Sequence, residues 1–376
     1  MKHNHFIQNL PSGALDIVGD VHGEWAVLQQ LLRHLGYDER GEHPQGRRLV
    51  FIGDIVDRGP DSPAALAWVM RAREQHGSKD FITSFWSWVM RAREQHGVLS
   101  VLGNHELNIL AGDPKDGSAW FFDSRMPEDT QYLPYQRLPA SERSGVLADL
   151  QTWPLVLQRE DLRLVHAAWL PESINAIHGL DPERNIAQWY NYFDKHVHEL
   201  VDHQPWYPQY QQEYKQYDAL LGQEDLHPPM LSGHTEFELS RWKQNPVRAL
   251  VSGSEEPVSE PFYAGARWRF TGRSAWWEHY HDDVPVVMGH YWRLWQSHTA
   301  SKSRHAGLMP ADGCAWFGAK SNVFCIDFSI GARWRDRQQN LAPAQSKFHL
   351  AALRWPERTI VMDNGAQYAS TAFEAA

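Results

Sequence analysis

Along the first 170 residues, short apolar runs alternate with longer stretches of helical period. Leu15–Val18 reads as a buried strand. Residues 24–35 follow it with apolar positions at helical spacing, Trp25, Leu28, Leu31, Leu32 and Leu35. Arg48–Ile52 is a second strand. Asp61-Ser62-Pro63 supplies a cap and a first-turn proline, which predicts a helix from 62 to about 76. Val98–Leu102 is a third strand, residues 141–152 are helical, and Pro154–Gln158 and Leu162–Val165 are two more strands. Strand and helix in alternation predict an α/β fold, with function carried by loops at the strand ends.

The pattern then changes. Residues 171–283 are rich in Trp, Tyr, His, Gln and Pro without clear alternation. They read as an elaborated insertion within a single domain covering 1–376, with helices expected at 183–203 and 209–221. Strands return at Pro285–Met288 and Val323–Asp327, and Phe348–Leu353 pairs with Thr359–Met362 as a hairpin. The tail from 364 is expected to be loose. One local anomaly interrupts the order. WVMRAREQHG stands at 68–77 and again at 88–97, so residues 68–97 hold a tandem duplication. Two copies are too few for a solenoid. Both present the same apolar face, so only one can occupy a given groove. The expectation is a helix from 62 to about 76, a loop through 78–86 and a second helical piece over 87–96.

Composition narrows the classes. The chain has 376 residues and a formal charge of −10, which argues against general nucleic-acid binding. Its two cysteines, Cys314 and Cys325, cannot build a disulfide framework, so a reducing cytoplasm is expected. MKHNHFIQNLPSG lacks the apolar core of a signal peptide, and there is no run of about 18 apolar residues to span a membrane.

Chemistry concentrates at the strand ends. The first strand delivers Gly19-Asp20-Val21-His22-Gly23, the second Gly53-Asp54-Ile55-Val56-Asp57-Arg58-Gly59, the third Gly103-Asn104-His105-Glu106. In an open α/β sheet these ends share one edge. Asp20 and His22, two apart, point to one side in extended geometry, and the flanking glycines allow a tight turn. Val165-His166-Ala167 and Gly289-His290-Tyr291 follow two further strands. Two Asp, one Asn and three His form an oxygen/nitrogen set without thiolate, suited to Mn, Fe or Zn. It is too large for one tetrahedral ion, and two ions sharing a carboxylate would use it.

These motifs (GDVHG, GDIVDRG, GNHE, VHA and GHY) resemble those of the calcineurin-like metallophosphoesterases, and within them the Ser/Thr protein phosphatase branch. The resemblance covers roughly 14–166 and 284–331. It implies a four-layer αββα sandwich and hydrolysis of phosphate esters by water activated between two divalent ions, manganese first, iron or zinc next. It places Asp20, His22 and Asp54 on one metal, and Asp54, Asn104, His166 and His290 on the other. It makes His105 the general acid oriented by Asp57, and Arg58 a phosphate-binding residue. Gly233-His234-Thr235 is closer in letters to the family's usual GHT, but it follows HPPMLS, whose prolines spoil a central strand, so His290 is preferred. Asp327 is either a supporting carboxylate or a turn residue.

A second phosphate-binding arginine is expected from Arg267, Arg269 or Arg293, with Arg267 and Arg293 favoured. His196, His198, His279 and His281 read as surface or insertion residues. The leading functional reading is a protein phosphatase acting on a phosphoprotein, without membrane association. The alternative is a dinucleoside polyphosphate hydrolase, for which Asp57 and Glu106 are atypical but an aromatic insertion able to stack on nucleobases is apt. A non-catalytic phospho-ligand binder would need a lost ligand or acid, and the motifs retain them all.

Overall fold

The strands are apolar at successive positions because both of their faces are covered. Residues 5–74, 97–264, 267–295 and 308–371 are described by the computed structural model. In chain order the first part holds β1 (Ile7–Asn9), β2 (Leu15–Val18), α1 (Trp25–Leu35), β3 (Arg48–Phe51), α2 (Ser62–Glu74), β4 (Leu99–Ser100), α3 (Asn104–Ala111), α4 (Arg143–Leu150), β5 (Val156–Arg159) and β6 (Leu162–Val165). The middle holds α5 (Pro171–His178), α6 (Ile186–Val201), α7 (Tyr207–Tyr217), α8 (Ser232–Gln244), α9 (Pro246–Ser252), β7 (Glu255–Ala264) and β8 (Arg267–Arg273). The last part holds β9 (Val286–Met288), β10 (Val323–Cys325), α10 (Arg333–Gln338), β11 (Ala351–Trp355), β12 (Thr359–Met362) and β13 (Gln367–Ala369).

One sheet runs β1-β5-β6-β9-β10 and a second runs β13-β12-β11-β2-β3-β4. Side chains alternate between two apolar layers, as the period of a strand requires. Leu15, Ile17, Val50 and Ile52 of one sheet meet Leu157, Leu164, Val287 and Phe324 of the other, filling the space between sheets. The alternate residues Val18, Phe51, Val156, Val165 and Val286 join an outer layer with Leu28 and Leu31 of α1, Leu66 of α2 and Ile177 of α5. The result is the expected helix–sheet–sheet–helix sandwich. Local signals set the helix ends. Asp61 accepts the Ala64 N–H at 2.9 Å at the start of α2. Gly36, at φ 96°, closes α1 by donating to the Leu32 and Arg33 carbonyls.

Four features differ from the expectations or fall outside them. β4 is only Leu99–Ser100, because the Leu102 N–H already turns to the Pro154 carbonyl of the other sheet. The tail is not loose over its first part: Asn364-Gly365 makes a turn and Gln367–Ala369 pairs antiparallel with Thr359–Val361. Residues 171–283, expected to be an insertion without clear alternation, contain a ten-residue strand, β7, paired antiparallel with β8. They also build small apolar centres of their own, such as Val197, Val201, Tyr210 and Phe237. The second copy of the duplicated segment, with the expected loop and helix over 78–96, lies outside the described residues. Among the described residues no helix is long and apolar enough to cross a membrane.

Candidate metal centre

The C-terminal ends of both sheets open onto one place. β2, β3 and the chain after β4 bring Asp20, His22, Asp54 and Asn104; β6 and β9 bring His166 and His290. Asp54 is common to two buried triads, His22–Asp54–His105 and Asp54–His166–His290, each with ligand atoms within 4.8 Å of one another. The Asp54 Oδ2 atom lies 3.7 Å from His22 Nε2 and 3.3 Å from His166 Nε2. The Asn104 side-chain oxygen is 2.8 Å from His290 Nδ1 and 3.2 Å from His166 Nε2. Asp20 accepts the His290 backbone N–H at 3.1 Å.

The loops that carry these groups are conformationally costly. His22, Asp54, Asp57, Arg58, His290 and Trp292 all have φ between 47° and 75°. Each such residue costs about 1–2 kcal/mol. Burying one Leu, Ile, Val or Phe gives back about 1.5–3 kcal/mol, so the two apolar layers easily carry the strain. Close approach demands glycine at two points. A Cβ on Gly103 would lie 2.2 Å from Asp54 Oδ1, and one on Gly289 would lie 2.0 Å from Asp20 Oδ1. Glu106 ties the second and third loops together: its carboxylate accepts N–H groups of Asp54 (2.9 Å), Ile55 (2.8 Å) and Gly103 (3.0 Å). Burial, and then the Asp54 charge, push the Glu106 carboxyl up to about 7.

Ring orientation is set from behind. His22 Nδ1 faces the Val56 carbonyl at 3.2 Å, and His166 Nδ1 faces the Ile52 carbonyl at 2.7 Å. Each Nε2 therefore turns its lone pair toward Asp54. Burial, with Arg58 next, holds the His22 imidazole well below its ordinary value; burial and Arg273 do the same at His290. Neutral imidazoles are what a metal needs. Burial and the neighbouring Asp327 push the Asp20 carboxyl well up. At the centre, burial opposes charge on both Asp54 and His166, yet their mutual attraction wins. The Asp54 carboxyl lies well below its usual range and His166 is pushed up to about 10. A buried carboxylate held among imidazoles is the arrangement that a bound cation would complete. The oxygen/nitrogen donors, their spacing and the shared carboxylate fit two divalent cations.

His105, which with His22 and Asp54 makes up the first triad, has its Nδ1 2.5 Å from Asp57 Oδ2 and its Nε2 3.9 Å from Asp54 Oδ2. Arg58 reaches the same cluster, with its guanidinium 3.3 Å from His22 Nε2 and 4.9 Å from the centre of the Trp292 ring. Asp327 accepts the Trp292 and Ser329 N–H groups and lies close enough to Asp20 to raise its carboxyl.

Two favoured arginines are not brought here. Arg293 is buried, and its guanidinium donates to the carbonyls of Cys325, Asp312 and Ala315, so it is a structural tie. Arg267 pairs with Asp218 at 2.5 Å within the insertion, and Arg269 on the same strand donates to the Ala264 carbonyl. The insertion arginine at the cluster is Arg273, which donates to the His290 carbonyl at 2.9 Å. It stands at the C-terminal end of β8, a place that shows only once the strand has formed against β7. His234 is also elsewhere, on α8, with its N–H on Glu213 at 2.7 Å. His196 and His198 pack on the aromatic rings of the insertion.

A profile of the calcineurin-like phosphoesterases matches residues 14–290. The chain is similar to the asymmetrical bis(5'-nucleosyl)-tetraphosphatase PrpE of Halalkalibacterium halodurans, 54% identical over 50 residues, 12% of this chain and 20% of that protein. It is 29% identical to the symmetrical bis(5'-nucleosyl)-tetraphosphatase of Chromobacterium violaceum over 159 residues, 42% of this chain and 44% of that one. The chain thus spans a fifth to under half the length of these curated relatives. Among solved structures, the cold-active protein tyrosine phosphatase of a psychrophilic Shewanella species aligns over 97% of this chain and 83% of its own. Its identity is 14% and its TM-score 0.42.

Proposed function

The chain belongs to the calcineurin-like phosphoesterase family, and from that premise we propose that it is a two-metal phosphatase of the protein-phosphatase type. The observation that carries this reading is the single carboxylate, Asp54, shared by two metal-competent triads, one of which includes His105, itself paired with Asp57. Asp20, His22 and Asp54 would hold one divalent cation; Asp54, Asn104, His166 and His290 would hold the other. Manganese suits the donor set, with iron or zinc next. When bound, the ions neutralise phosphate charge and acidify water near neutral pH.

The protein's own groups do the rest. Arg58 grips phosphate oxygens through paired N–H donors, as a lysine cannot. Arg273 replaces Arg267 and Arg293 as the second cationic contact. His105 gives the leaving oxygen a proton from Nε2, while Asp57 holds Nδ1 and aims the ring. A phosphoprotein is the favoured substrate, since GDIVDRG and GNHE both carry the residues, Asp57 and Glu106, that lean toward that branch. A dinucleoside polyphosphate remains the second reading, and one observation favours it: the half-buried Trp292 stands beside Arg58 and offers a nucleobase a ring. The two unpaired cysteines suit a reducing cytoplasm.

The test is one assay. Protein stripped of metal and reloaded with Mn²⁺ is offered p-nitrophenyl phosphate, a phosphoserine peptide and diadenosine tetraphosphate, with Asp54→Asn as control. Turnover of the peptide above the dinucleotide is expected. Preference for the dinucleotide would select the second reading, and silence on all three with metal bound would reject both.

A further inference from the structure

The carboxylate of Asp57 has two oxygens, and His105 uses only one. Asp57 Oδ2 takes the imidazole, whereas Oδ1 accepts the indole N–H of Trp120 at 2.5 Å. Both Asp57 and Trp120 are essentially inaccessible to water, at 0% and 1% exposure, so no solvent molecule can substitute for either donor. Trp120 comes from none of the five motifs. It lies in the irregular segment after α3, which straps the outside of the Asp57–Arg58 loop. The Arg58 N–H donates to the Gly117 carbonyl at 3.1 Å, and the Gln136 N–H donates to the Pro60 carbonyl at 2.8 Å. Asp129, buried and paired with Arg125 at 2.6 Å, takes the Ala119 N–H at 2.9 Å, next to the indole. Trp120 itself packs edge-on against Phe121, with ring centres 5.4 Å apart.

We propose that Trp120 is a positioning residue for leaving-group protonation: its indole N–H pins the second oxygen of Asp57, which keeps the first on His105 Nδ1. An indole N–H is a rigid donor that cannot accept. Without it the buried carboxylate has an unpaired oxygen and is free to turn about its Cβ–Cγ bond. His105 then loses the partner that holds its Nδ1–H and aims its ring, and Nε2 is no longer directed at the leaving oxygen. The strap also explains how Asp57 and Arg58 stand at φ 75° and 67°, since surrounding structure must over-determine such residues.

This inference rests on His105 as proton donor, and the test separates the two. Trp120→Phe, Trp120→His and His105→Asn are each assayed with Mn²⁺ on phosphate esters whose leaving groups range from p-nitrophenol to an alkyl alcohol. His105→Asn should lose activity progressively as the leaving group worsens; a flat profile overturns the acid role and the proposal with it. Trp120→Phe should lower kcat on the poorest leaving groups by about tenfold, with KM, bound metal and p-nitrophenyl phosphate turnover close to the parent. Trp120→His keeps a ring N–H in a smaller side chain and should recover part of the loss. A packing role predicts the reverse order, because phenylalanine fills the site better than histidine, and that order would overturn the proposal. If Trp120→Phe does not fold, Asp129→Asn loosens the strap from outside the site. It should give the same profile in milder form, and equal losses on every ester would overturn the proposal.

Discussion

Gly233-His234-Thr235 and Gly289-His290-Tyr291 are nearly the same in letters and opposite in fate. Gly289-His290 follows β9, whose three residues are all buried between neighbouring strands. The chain leaves that strand in a left-handed turn, and the histidine ring swings to within 2.8 Å of the Asn104 oxygen. Gly233-His234 lies in the first turn of α8, where the His234 ring packs near Tyr210 and Phe270 and its Nδ1 has no hydrogen-bond partner among the described residues. Both glycines are obligatory, for different reasons. A Cβ on Gly289 would strike Asp20 at 2.0 Å, whereas one on Gly233 would strike the Tyr210 backbone at 2.4 Å. A dipeptide acquires a chemical role from the element it terminates.

Substitutions can break or sharpen this comparison. The largest effect is expected at the shared carboxylate: Asp54→Asn should lower turnover by about a thousandfold or more, with metal content measured alongside. Full activity in that variant would remove Asp54 from the centre. His290→Ala should cost about a hundredfold and at least one bound metal, while His234→Ala should stay within about twofold in activity. Equal losses would erase the distinction. Arg273→Ala should lower kcat/KM by about tenfold or more, and Arg267→Ala should leave it nearly unchanged.

Gly233→Ala should cost about 2 kcal/mol of stability, read as a lower Tm, and spare the turnover of the folded fraction. The smallest effect concerns acid. Burial, only partly opposed by Glu238, holds the His234 imidazole below its ordinary 6.5. The unfolded chain therefore binds this proton more readily than the folded one. The stabilising contribution is present above about pH 6.5 and is lost as pH falls below it. His234→Phe should flatten that acid-side loss in a denaturation series, and an unchanged slope would refute it.

Much of the frame was legible in one dimension. The paired apolar layers are written into Leu15–Val18, Leu162–Val165 and Pro285–Met288, where neighbouring residues serve opposite faces. Two of the loops at those ends set an Asp or His beside glycine, Gly19-Asp20 and Gly289-His290, and the third sets His166 directly after Val165. The insertion was harder. Pro257 and Pro261 obscure a strand that the structure nevertheless forms, because its partner β8 supplies the pairing. The tail looked free because its partner edge, β12, cannot be inferred from residues 367–369 themselves.

What the sequence determined by itself was the set of groups available at strand ends, since local period and punctuation are properties of neighbours in the chain. Only the tertiary structure decided which arginine reaches them. Arg267, Arg269, Arg273 and Arg293 carry the same charge, and nothing local separates them. Three are engaged elsewhere, with Asp218, with the Ala264 carbonyl and with the carbonyls around Cys325, while Arg273 meets His290. The same holds for Trp120, one tryptophan among 18, which touches Asp57 only because the strap after α3 folds back across it. Partners 63 residues apart are chosen by packing, and the pairwise geometry of packing is absent from any short window of sequence.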